Sequence, residues 1–414
     1  MNSHKLSTLL VIFSMMIGCS PTIATPDIQT NSIEAKSTAT NIPLPSITVA
    51  SSPTLVSKFP KDCINLINTP SKTDALNGLF VVYDRNSGSN YFLDPKLSQV
   101  LDIKEKKQVL SFDSPHNFSV GVSPNKKYLQ VSFLNKDYGL IRSVDQIIKT
   151  YDTQDQEDWN RGRWLDNERM FFQYWDYPNG NTIVIYNPFT GEKKNIQLDL
   201  SNPYIINDGL GTVAWVKADI DPSLKRVLYN DQDNRLVLWD LESQKEITSL
   251  PSLTDLLQGS WSPDGQEFAV RFPSSNFAPT ELSMINMDGS IKTTNLNQKY
   301  LYANVGTRPA WSPNGRRIAF WLTINNVAIP SNDDLRQWLA ITDTITFDTQ
   351  IYCLSSKLSV SGGSIVWSPD NTQVIVTTDV SSEKIKTVLV DLTHRTQSAL
   401  DTYGLSVAGW MAAP

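Results

Sequence analysis

A short cassette, at its most regular Trp-Ser-Pro followed by Asp or Asn, recurs along most of this chain. Seven copies of varying quality can be recognised, and their first residues are Val122, Trp164, Ile220, Trp261, Trp311, Trp367 and Trp410. A repeat of this kind indicates supersecondary units that bury their apolar faces against one another. It therefore constrains the fold more strongly than any other feature of the sequence.

The cassette has the composition of a tight turn. Proline fixes φ at the second position of a type I turn, Asp or Asn suits the next position, and a following Gly accepts a left-handed conformation. We expect the bulky residue before the turn to end a strand and to pack between neighbouring units. Because an active site needs each group once, the repeated residues are interpreted as structural, and they are Pro124, Asp166, Pro222, Pro263, Asp264, Pro313, Pro369, Asp370 and Trp410.

Each turn is followed by runs rich in β-branched and aromatic residues, which favour strands. Second strands are predicted at 128–133, 169–174, 226–231, 267–272, 317–322 and 373–378. Third strands, most of which end in Asp or Asn, are predicted at 148–152, 183–187, 236–240, 282–286, 345–348 and 387–391. A short turn and a weaker fourth strand complete each unit.

The strand count predicts a closed ring. Three strand-like runs at 79–84, 90–94 and 99–103 precede the first cassette, and one run at 405–411 follows the last unit. The cassettes are spaced by about 48 residues, close to known propeller periods. We therefore predict an all-β fold, a seven-bladed β-propeller of four-stranded antiparallel blades, in which the C-terminal strand joins the N-terminal blade and removes the open edge.

The sequence Leu-Val-Leu-Trp-Asp-Leu at 236–241, followed by the cassette at 261–265, resembles the WD-repeat and TolB-type propeller families. The resemblance extends over about residues 78–414. WD repeats usually carry a Gly-His pair before the first strand, and this chain lacks it, so the bacterial TolB-like variant is the better match. The resemblance implies a propeller but little about function, because propellers include enzymes, scaffolds and receptors.

The N-terminus resembles a bacterial lipoprotein signal. The apolar segment at 6–17 is too short to span a bilayer, and Gly18-Cys19 stands where a cleavage site is expected. We predict a signal peptide at 1–18 and lipidation of Cys19, against the alternative of an ordinary secretory signal with an incidental cysteine. The protein would then be exported and anchored to the cell membrane by lipid, at the outer membrane facing the periplasm in a diderm cell or on the external face in a monoderm.

A tether is predicted at 19–57, followed by a lead-in segment at 58–77 and the propeller at 78–414. Of the 38 residues at 20–57, 14 are Ser or Thr and 5 are Pro, a composition typical of disordered chains. Cys63 and Cys353 are the other two cysteines, and in an exported chain they suggest a disulfide, with two buried thiols as the alternative. The net charge of −6 offers no basic face for nucleic acid, and we expect a monomer.

A search for catalytic or cofactor motifs finds none. The chain has three histidines, of which His116 and His394 lie outside the signal peptide, and neither has a sequence neighbour that would make it a base or a metal ligand. There is no Gly-x-Ser-x-Gly motif, zinc-ligand spacing or phosphate-binding Gly loop. We expect a protein that is not an enzyme and has no metal or cofactor.

Long insertions are expected on one face of the propeller, where strand two connects to strand three and strand four to the next blade. They are predicted at 104–117, 135–146, 201–212, 273–280, 297–309 and 323–344. Function concentrates in loops held by a rigid scaffold, and Tyr and Trp are frequent interface anchors. The candidate binding residues are His116, Tyr138, Tyr204, Phe277, Tyr300, Tyr302 and Trp338. The alternative is that these side chains pack only against their own loops.

Two functions remain open from the sequence. The first is a lipid-anchored binding or scaffold protein of the cell envelope that binds a protein or an envelope glycan through the long loops. The second is a propeller hydrolase or lyase that acts on an envelope glycan or peptide, with carboxylates such as Asp333 and Asp334 near the channel mouth. Converging carboxylates or a metal on the axis would favour the enzyme.

Overall fold

The fold is described from a computed structural model of the chain. The described residues are 60, 62–70, 76–84, 87, 89–103, 118–133, 138–152, 163–174, 182–207, 214–216, 218–250, 259–273, 280–300, 303–306, 308–324, 336–357, 364–381 and 384–413. The predicted signal peptide, Cys19 and the tether lie outside them.

The chain from the lead-in to the end of blade 3 contains twelve strands. The lead-in holds β1 (Ile67–Asn68), and blade 1 takes β2 (Leu79–Asp84), β3 (Ser89–Asp94) and β4 (Gln99–Asp102). Blade 2 consists of β5 (Phe118–Val122), β6 (Leu129–Phe133), β7 (Tyr138–Arg142) and β8 (Ile147–Asp152). Blade 3 consists of β9 (Arg163–Trp164), β10 (Met170–Tyr174), β11 (Thr182–Tyr186) and β12 (Lys193–Gln197).

A hairpin of β13 (Ile205–Asn207) and β14 (Ala214–Val216) precedes the next two blades. Blade 4 consists of β15 (Ala218–Ile220), β16 (Arg226–Asn230), β17 (Leu236–Asp240) and β18 (Lys245–Leu250). Blade 5 consists of β19 (Gly259–Trp261), β20 (Glu267–Pro273), β21 (Thr280–Asn286) and β22 (Ile291–Thr293), and the short helix α1 (Leu296–Lys299) follows.

The last two blades complete the ring. Blade 6 has a divided inner strand, β23 (Ala303–Val305) and β24 (Ala310–Trp311), followed by β25 (Arg317–Ile324), β26 (Arg336–Asp343) and β27 (Thr349–Lys357). Blade 7 consists of β28 (Ile365–Trp367), β29 (Gln373–Ser381), β30 (Lys384–Asp391) and β31 (Thr396–Leu400), and β32 (Ser406–Met411) ends the chain's strands.

The C-terminal strand closes the ring as the sequence predicts. β32 pairs antiparallel with β2, with Leu79 opposite Met411 and Phe80 opposite Trp410, and blade 1 has the strand order β32-β2-β3-β4. Trp410 is 2% exposed and packs edge-on against Phe80 with ring centroids 4.8 Å apart. The prediction of a seven-bladed, four-stranded antiparallel propeller closed by this strand is confirmed.

Two third strands were predicted at the wrong place. In blade 2 the third strand is β7, inside a predicted loop, and 148–152 belongs to the fourth strand. In blade 6 the third strand is β26, inside the longest predicted loop, and 345–348 forms the following turn with Phe347 at φ 62°. An Asp closes this turn, because the Asp343 carboxylate accepts the N–H groups of Ile345 and Thr346.

A serine hydroxyl organises each regular cassette. In blade 5, Ser262 donates to Asp264 at 2.6 Å and accepts the backbone N–H of Glu267 at 3.0 Å. The same pair of bonds recurs at Ser123, Ser312 and Ser368. The hydroxyl thus joins the end of the first strand to the start of the second, which accounts for Ser as well as Asp or Asn at this spacing.

The cassette tryptophans join neighbouring blades by hydrogen bonds as well as by packing. The indole N–H of Trp164 donates to the carbonyl of Gly121, that of Trp311 to Ser260, and that of Trp367 to Ala310, at 2.8–2.9 Å. In each case the acceptor immediately precedes the cassette of the preceding blade. A buried indole N–H needs such a partner, so the repeat sets the contact between blades.

The lead-in segment is fastened to the outside of blades 6 and 7. Cys63 and Cys353 of β27 form a disulfide with a Cα–Cα distance of 5.1 Å. Beyond it, β1 adds in parallel to β31, with Ile67 opposite Thr396. The segment therefore crosses two outer strands before it reaches blade 1.

Among the described residues, no helix is long and apolar enough to cross a membrane.

Candidate functional site in the propeller axis

A cavity of about 370 Å³ opens on the axis at the end of the propeller that carries the cassette turns. We call this end the short-turn face and the opposite end the long-loop face. Inner strands of six blades contribute to the cavity wall, together with the cassette prolines Pro124, Pro263 and Pro313. Among the described residues that line this axial cavity, the three with charged side chains are all basic, and they are Lys126, Arg163 and Arg308.

Arg308 reaches the cavity because the inner strand of blade 6 is interrupted. β23 and β24 both pair with β25, and just before β24 stands Pro309, which has no N–H to donate to the ladder. The Nε of Arg308 donates to the carbonyl of Gly259 in blade 5 at 2.7 Å, and Ser260 donates to the carbonyl of Pro309 at 3.0 Å. These bonds fix the break and hold the guanidinium beside the axis.

Arg163 is held at the cavity by an acidic residue of the next blade. Its guanidinium lies over the ring of Phe171, 4.5 Å from the ring centre, and pairs with the carboxylate of Asp219. The same oxygen of Asp219 accepts the indole N–H of Trp261 at 2.7 Å. Arg163 and Asp219 each immediately precede a cassette, the position that in other blades offers a backbone carbonyl to the next indole. Here it carries an ion pair between blades 3 and 4, and the Asp219 carboxylate accepts the indole N–H of blade 5.

Lys126 occupies the cassette position that favours glycine. Its φ is 64°, close to the 71° of Gly265 and the 70° of Gly315 at the corresponding positions of blades 5 and 6. Its N–H donates to the carbonyl of Ser123, and its own carbonyl accepts the N–H of Ala412 just after β32. The backbone therefore fits the turn, and the side chain adds a cation to the cavity wall.

Desolvation and repulsion act on these cations. Enclosure by protein lowers the pKa of Lys126 to about 8. The pKa of Arg308 is lowered by desolvation and by the charge of Arg163, against an opposing effect of Asp219. With three cations and one neighbouring carboxylate, the cavity has a net positive charge. Binding of an anion there is therefore electrostatically favourable.

The cavity wall does not carry the groups of the enzyme alternative. The described residues that line it include no Asp or Glu. Asp219 contacts the lining residue Arg163, and its carboxylate is bound by Arg163 and Trp261. Within the same residues no group of three His, Cys, Asp or Glu could hold a metal ion. Asp333 and Asp334 lie outside the described residues.

The structure relocates the best aromatic candidate of the long-loop face. Trp338 lies on β26 rather than in a loop, is 5% exposed, and packs in the core with Phe320 and Leu322. The prediction of Trp338 as a surface anchor is therefore wrong. The sequence correctly predicts a strand for its apolar neighbours on β25, but it places the partner strand at 345–348, which is too far along the chain.

The other candidates divide between contacts within the fold and positions that are not described. The hydroxyl of Tyr300 donates to the carboxylate of Asp62 in the lead-in, at 3.1 Å to one oxygen. Tyr204 is 41% exposed, and its N–H donates to the carbonyl of Asn230. The backbone of Tyr138 lies on β7. His116, Phe277 and Tyr302 lie outside the described residues.

Sequence reasoning missed the axial cavity because its cations are distant in sequence and belong to no motif. One signal was present. Within the repeat, the residue before the cassette is an Arg at 163 and an Asp at 219, and a Lys replaces Gly at 126. Corresponding positions of all blades face the axis together. A charged residue at a repeat position that is uncharged in other blades therefore indicates a function beyond the structural role of the repeat.

Known proteins give no sequence match to this chain and only distant structural matches. No protein-family model matches the chain, and no curated protein is similar to it in sequence. Among solved structures, hydrazine synthase of Kuenenia stuttgartiensis is 11% identical over 68% of this chain and 78% of its own, with a TM-score of 0.39. TolB of Acinetobacter baumannii is 16% identical over 78% of this chain and 79% of its own, with a TM-score of 0.38.

A third solved structure, Hsv2 of Kluyveromyces lactis, is 12% identical over 66% of this chain and 72% of its own, with a TM-score of 0.38. At these values the propeller assignment depends on the strand pairings of the chain itself.

Proposed function

We propose that this protein is a lipid-anchored binding or scaffold protein of the cell envelope, which captures a protein or glycan partner at the short-turn end of its axis. The observation that carries the proposal is the axial cavity, in which Lys126, Arg163 and Arg308 surround a preformed space. Sites for ligands are typically concave, largely preformed and equipped with a few fixed polar groups.

The rigidity of the cavity supports a binding role. Arg308 and Arg163 are each tied to a neighbouring blade, through Gly259 and Asp219 respectively. Side chains that are already ordered lose little conformational entropy when a partner binds. The scaffold thus offers fixed cations rather than a mobile surface.

The anchoring part of the proposal is supported by Gly18-Cys19 after the short apolar segment. Several acyl chains on one cysteine are sufficient for stable membrane attachment. Replacing Cys19 by Ala should move the full-length protein from the membrane fraction to the soluble fraction and abolish labelling with a fatty-acid probe. Membrane retention without labelling would contradict the lipid anchor.

Partner capture is tested by crosslinking in native membranes with the wild-type chain, Lys126→Asn and Lys127→Asn. Asn occupies the same cassette position at 371 with φ 66°, so the first variant suits the local backbone. Lys127 is an exposed neighbour that the cavity wall does not include, and its replacement removes the same charge. We expect reduced capture only for Lys126→Asn, and equal capture by all three proteins would place the binding surface elsewhere.

The hydrolase or lyase alternative makes a different prediction. Glycoside hydrolysis typically uses two carboxylates beside the substrate, and the carboxylate nearest to the described cavity residues, that of Asp219, is bound by Arg163 and Trp261. Release of reducing ends or amines from purified envelope glycan or peptide, lost on replacing Asp333 and Asp334 by Asn, would favour the enzyme over the binding protein.

A further inference from the structure

We infer that the axial cavity binds a compact organic anion, a carboxylate or a phosphate ester on a body of about monosaccharide size, with Lys126 and Arg308 as its main charged contacts. This inference rests on the proposed function and specifies the chemistry of the group that the cavity recognises.

The charges determine the sign of the ligand. Three basic side chains line the cavity and one carboxylate, that of Asp219, lies beside Arg163. Arg163 is thereby neutralised in part, whereas the Nε of Arg308 is bonded to a neutral carbonyl of Gly259. The positive charge that remains after the Arg163–Asp219 pair is therefore that of Arg308 and Lys126.

The chemistry of these two cations selects an oxyanion. A guanidinium presents a planar set of donors that matches the oxygens of a carboxylate or a phosphate, and a lysine ammonium acts as a compact positive charge. The mutual repulsion of Arg308 and Arg163, which contributes to the lowered pKa of Arg308, would be relieved by an anion between them.

The volume and the wall limit the rest of the ligand. A cavity of about 370 Å³ lies at the lower end of the range for small-molecule sites. The residues that line it include Trp261, Trp311, Pro263 and Pro313, whose side chains are largely apolar. A small ring or chain with apolar faces and one anionic group fits this combination better than a bare ion or a long polymer.

The inference is tested by calorimetric titration of the mature propeller chain with three sugars of similar size. Glucose is the neutral control, glucuronate supplies a carboxylate, and glucose 6-phosphate supplies a phosphate ester. We expect millimolar or tighter binding of at least one charged sugar and none of glucose, with affinity that falls as salt increases. Binding of only one charged sugar would show whether the cavity prefers a carboxylate or a phosphate ester, and either result supports the inference.

Variants locate the binding. Lys126→Asn should weaken binding of the charged sugar by about tenfold or more, since hydrogen bonds to charged groups contribute roughly 1.5–3 kcal/mol. Arg308→Gln should act in the same direction, and Lys127→Asn should leave the affinity unchanged. A single cooperative melting transition in each variant, at a temperature no lower than that of the wild type, would show that the fold is retained.

Several outcomes would overturn the inference. They are equal binding of glucose and the charged sugars, equal affinities of Lys126→Asn and Lys127→Asn, or absence of binding at millimolar concentrations. Membrane-partner capture that depends on Lys126 but is not competed by either charged sugar would overturn the anion inference and leave the proposed function standing. If neither partner capture nor sugar binding depends on Lys126, both the proposed function and the anion inference are wrong.

Discussion

Lys126 shows how one residue can depart from a structural repeat at a cost. Its φ of 64° lies in the left-handed region that glycine adopts freely, and a side chain there costs about 1 kcal/mol. Enclosure in the cavity adds a second cost, because it disfavours the charged ammonium and lowers the pKa to about 8. Strain and desolvation of this kind are typical of functional positions.

The lowered pKa of Lys126 predicts a pH-dependent stability. Its folded-state pKa of about 8 lies below the ordinary value of 10.5. Between these values the unfolded chain binds more protons, so the contribution of Lys126 to the free energy of unfolding increases as pH rises through this window. At pH 7 we expect Lys126→Asn to be more stable than the wild type by roughly 1–3 kcal/mol. This range is smaller than the full pKa difference implies, because the Lys126 side chain is partly exposed to solvent in the axial cavity.

Urea unfolding at pH 7, 8 and 9 measures this difference. The advantage of Lys126→Asn should shrink as pH rises, because the wild-type lysine loses its proton in the folded state. Lys127→Asn is the control, for which no such trend is expected. A constant difference between wild type and Lys126→Asn across this range would show that Lys126 keeps its ordinary pKa.

At the scale of the element, the cassette couples a turn within one blade to a contact with the blade before it. Ser368 organises the turn of blade 7, while the indole of the adjacent Trp367 donates to Ala310 of blade 6 at 2.8 Å. Trp367 is 1% exposed, and its core cluster includes residues of blades 6 and 7 such as Trp321 and Val376. The repeated sequence therefore specifies the order and spacing of blades as well as their turns.

Two substitutions at Trp367 separate packing from hydrogen bonding. Trp367→Phe keeps an aromatic ring but leaves the carbonyl of Ala310 without its indole donor, and we expect a loss of about 1–2 kcal/mol. Trp367→Ala also removes the ring and should cost about 3–5 kcal/mol. Chemical denaturation measures both losses. Equal losses for the two variants would mean that the indole N–H contributes most of the stabilisation.

The sequence predicted blades where the cassette and the Asp that ends the third strand are both regular. Asp240 and Asp391 cap the turns after the third strands of blades 4 and 7 through backbone N–H groups two and three residues later. Asp343 does the same in blade 6, but the β-branched residues that follow it resemble a strand. In blade 2 the hydroxyl of Ser143 replaces the carboxylate, so the pattern gave no Asp to mark the turn.

The site was less predictable than the fold for a physical reason. Strand patterns depend on local alternation and turns, whereas the axial cavity brings together Lys126, Arg163 and Arg308 from three blades. Arg308 enters it only because the inner strand of blade 6 is broken between β23 and β24. This break is held by hydrogen bonds to Gly259 and Ser260 of blade 5, and no periodic pattern in the sequence predicts it.

At the scale of the whole molecule, ring closure depends on the last strand. Removing residues 404–414 would expose the edge of β2 and remove Trp410, whose indole donates to the carbonyl of Asn77 at 2.9 Å. Loss of one buried Trp side chain costs about 3–5 kcal/mol, a large part of a typical stability of about 5–15 kcal/mol.

We expect this truncated protein to aggregate or to be degraded, as judged by size-exclusion chromatography and expression level. Removing only residues 413–414 is the control, since it retains β32 and the bond from Ala412 to Lys126. A soluble 404–414 deletion with an unchanged melting transition would contradict the role of β32 in closing the ring.

The disulfide should contribute to global stability. It links residues 290 positions apart, and crosslinks over long loops stabilise mainly by restricting the unfolded chain. We expect the double variant Cys63→Ser with Cys353→Ser to lose about 2–5 kcal/mol. A reducing agent should lower the melting temperature of the wild type but not that of the variant. An unaffected wild-type transition would mean that the bond does not form in solution.

The fastening of the lead-in also determines where mechanical load would enter the molecule. If Cys19 is held in a membrane and a captured partner is pulled away, tension along the chain first meets Cys63. The covalent link to Cys353 passes this force to the outer strand β27 of blade 6. The hydrogen bonds between β2 and β32, which close the ring, involve residues further along the chain than that point. The strand pairing that closes the ring is therefore not the first part of the propeller that tension on the tether reaches.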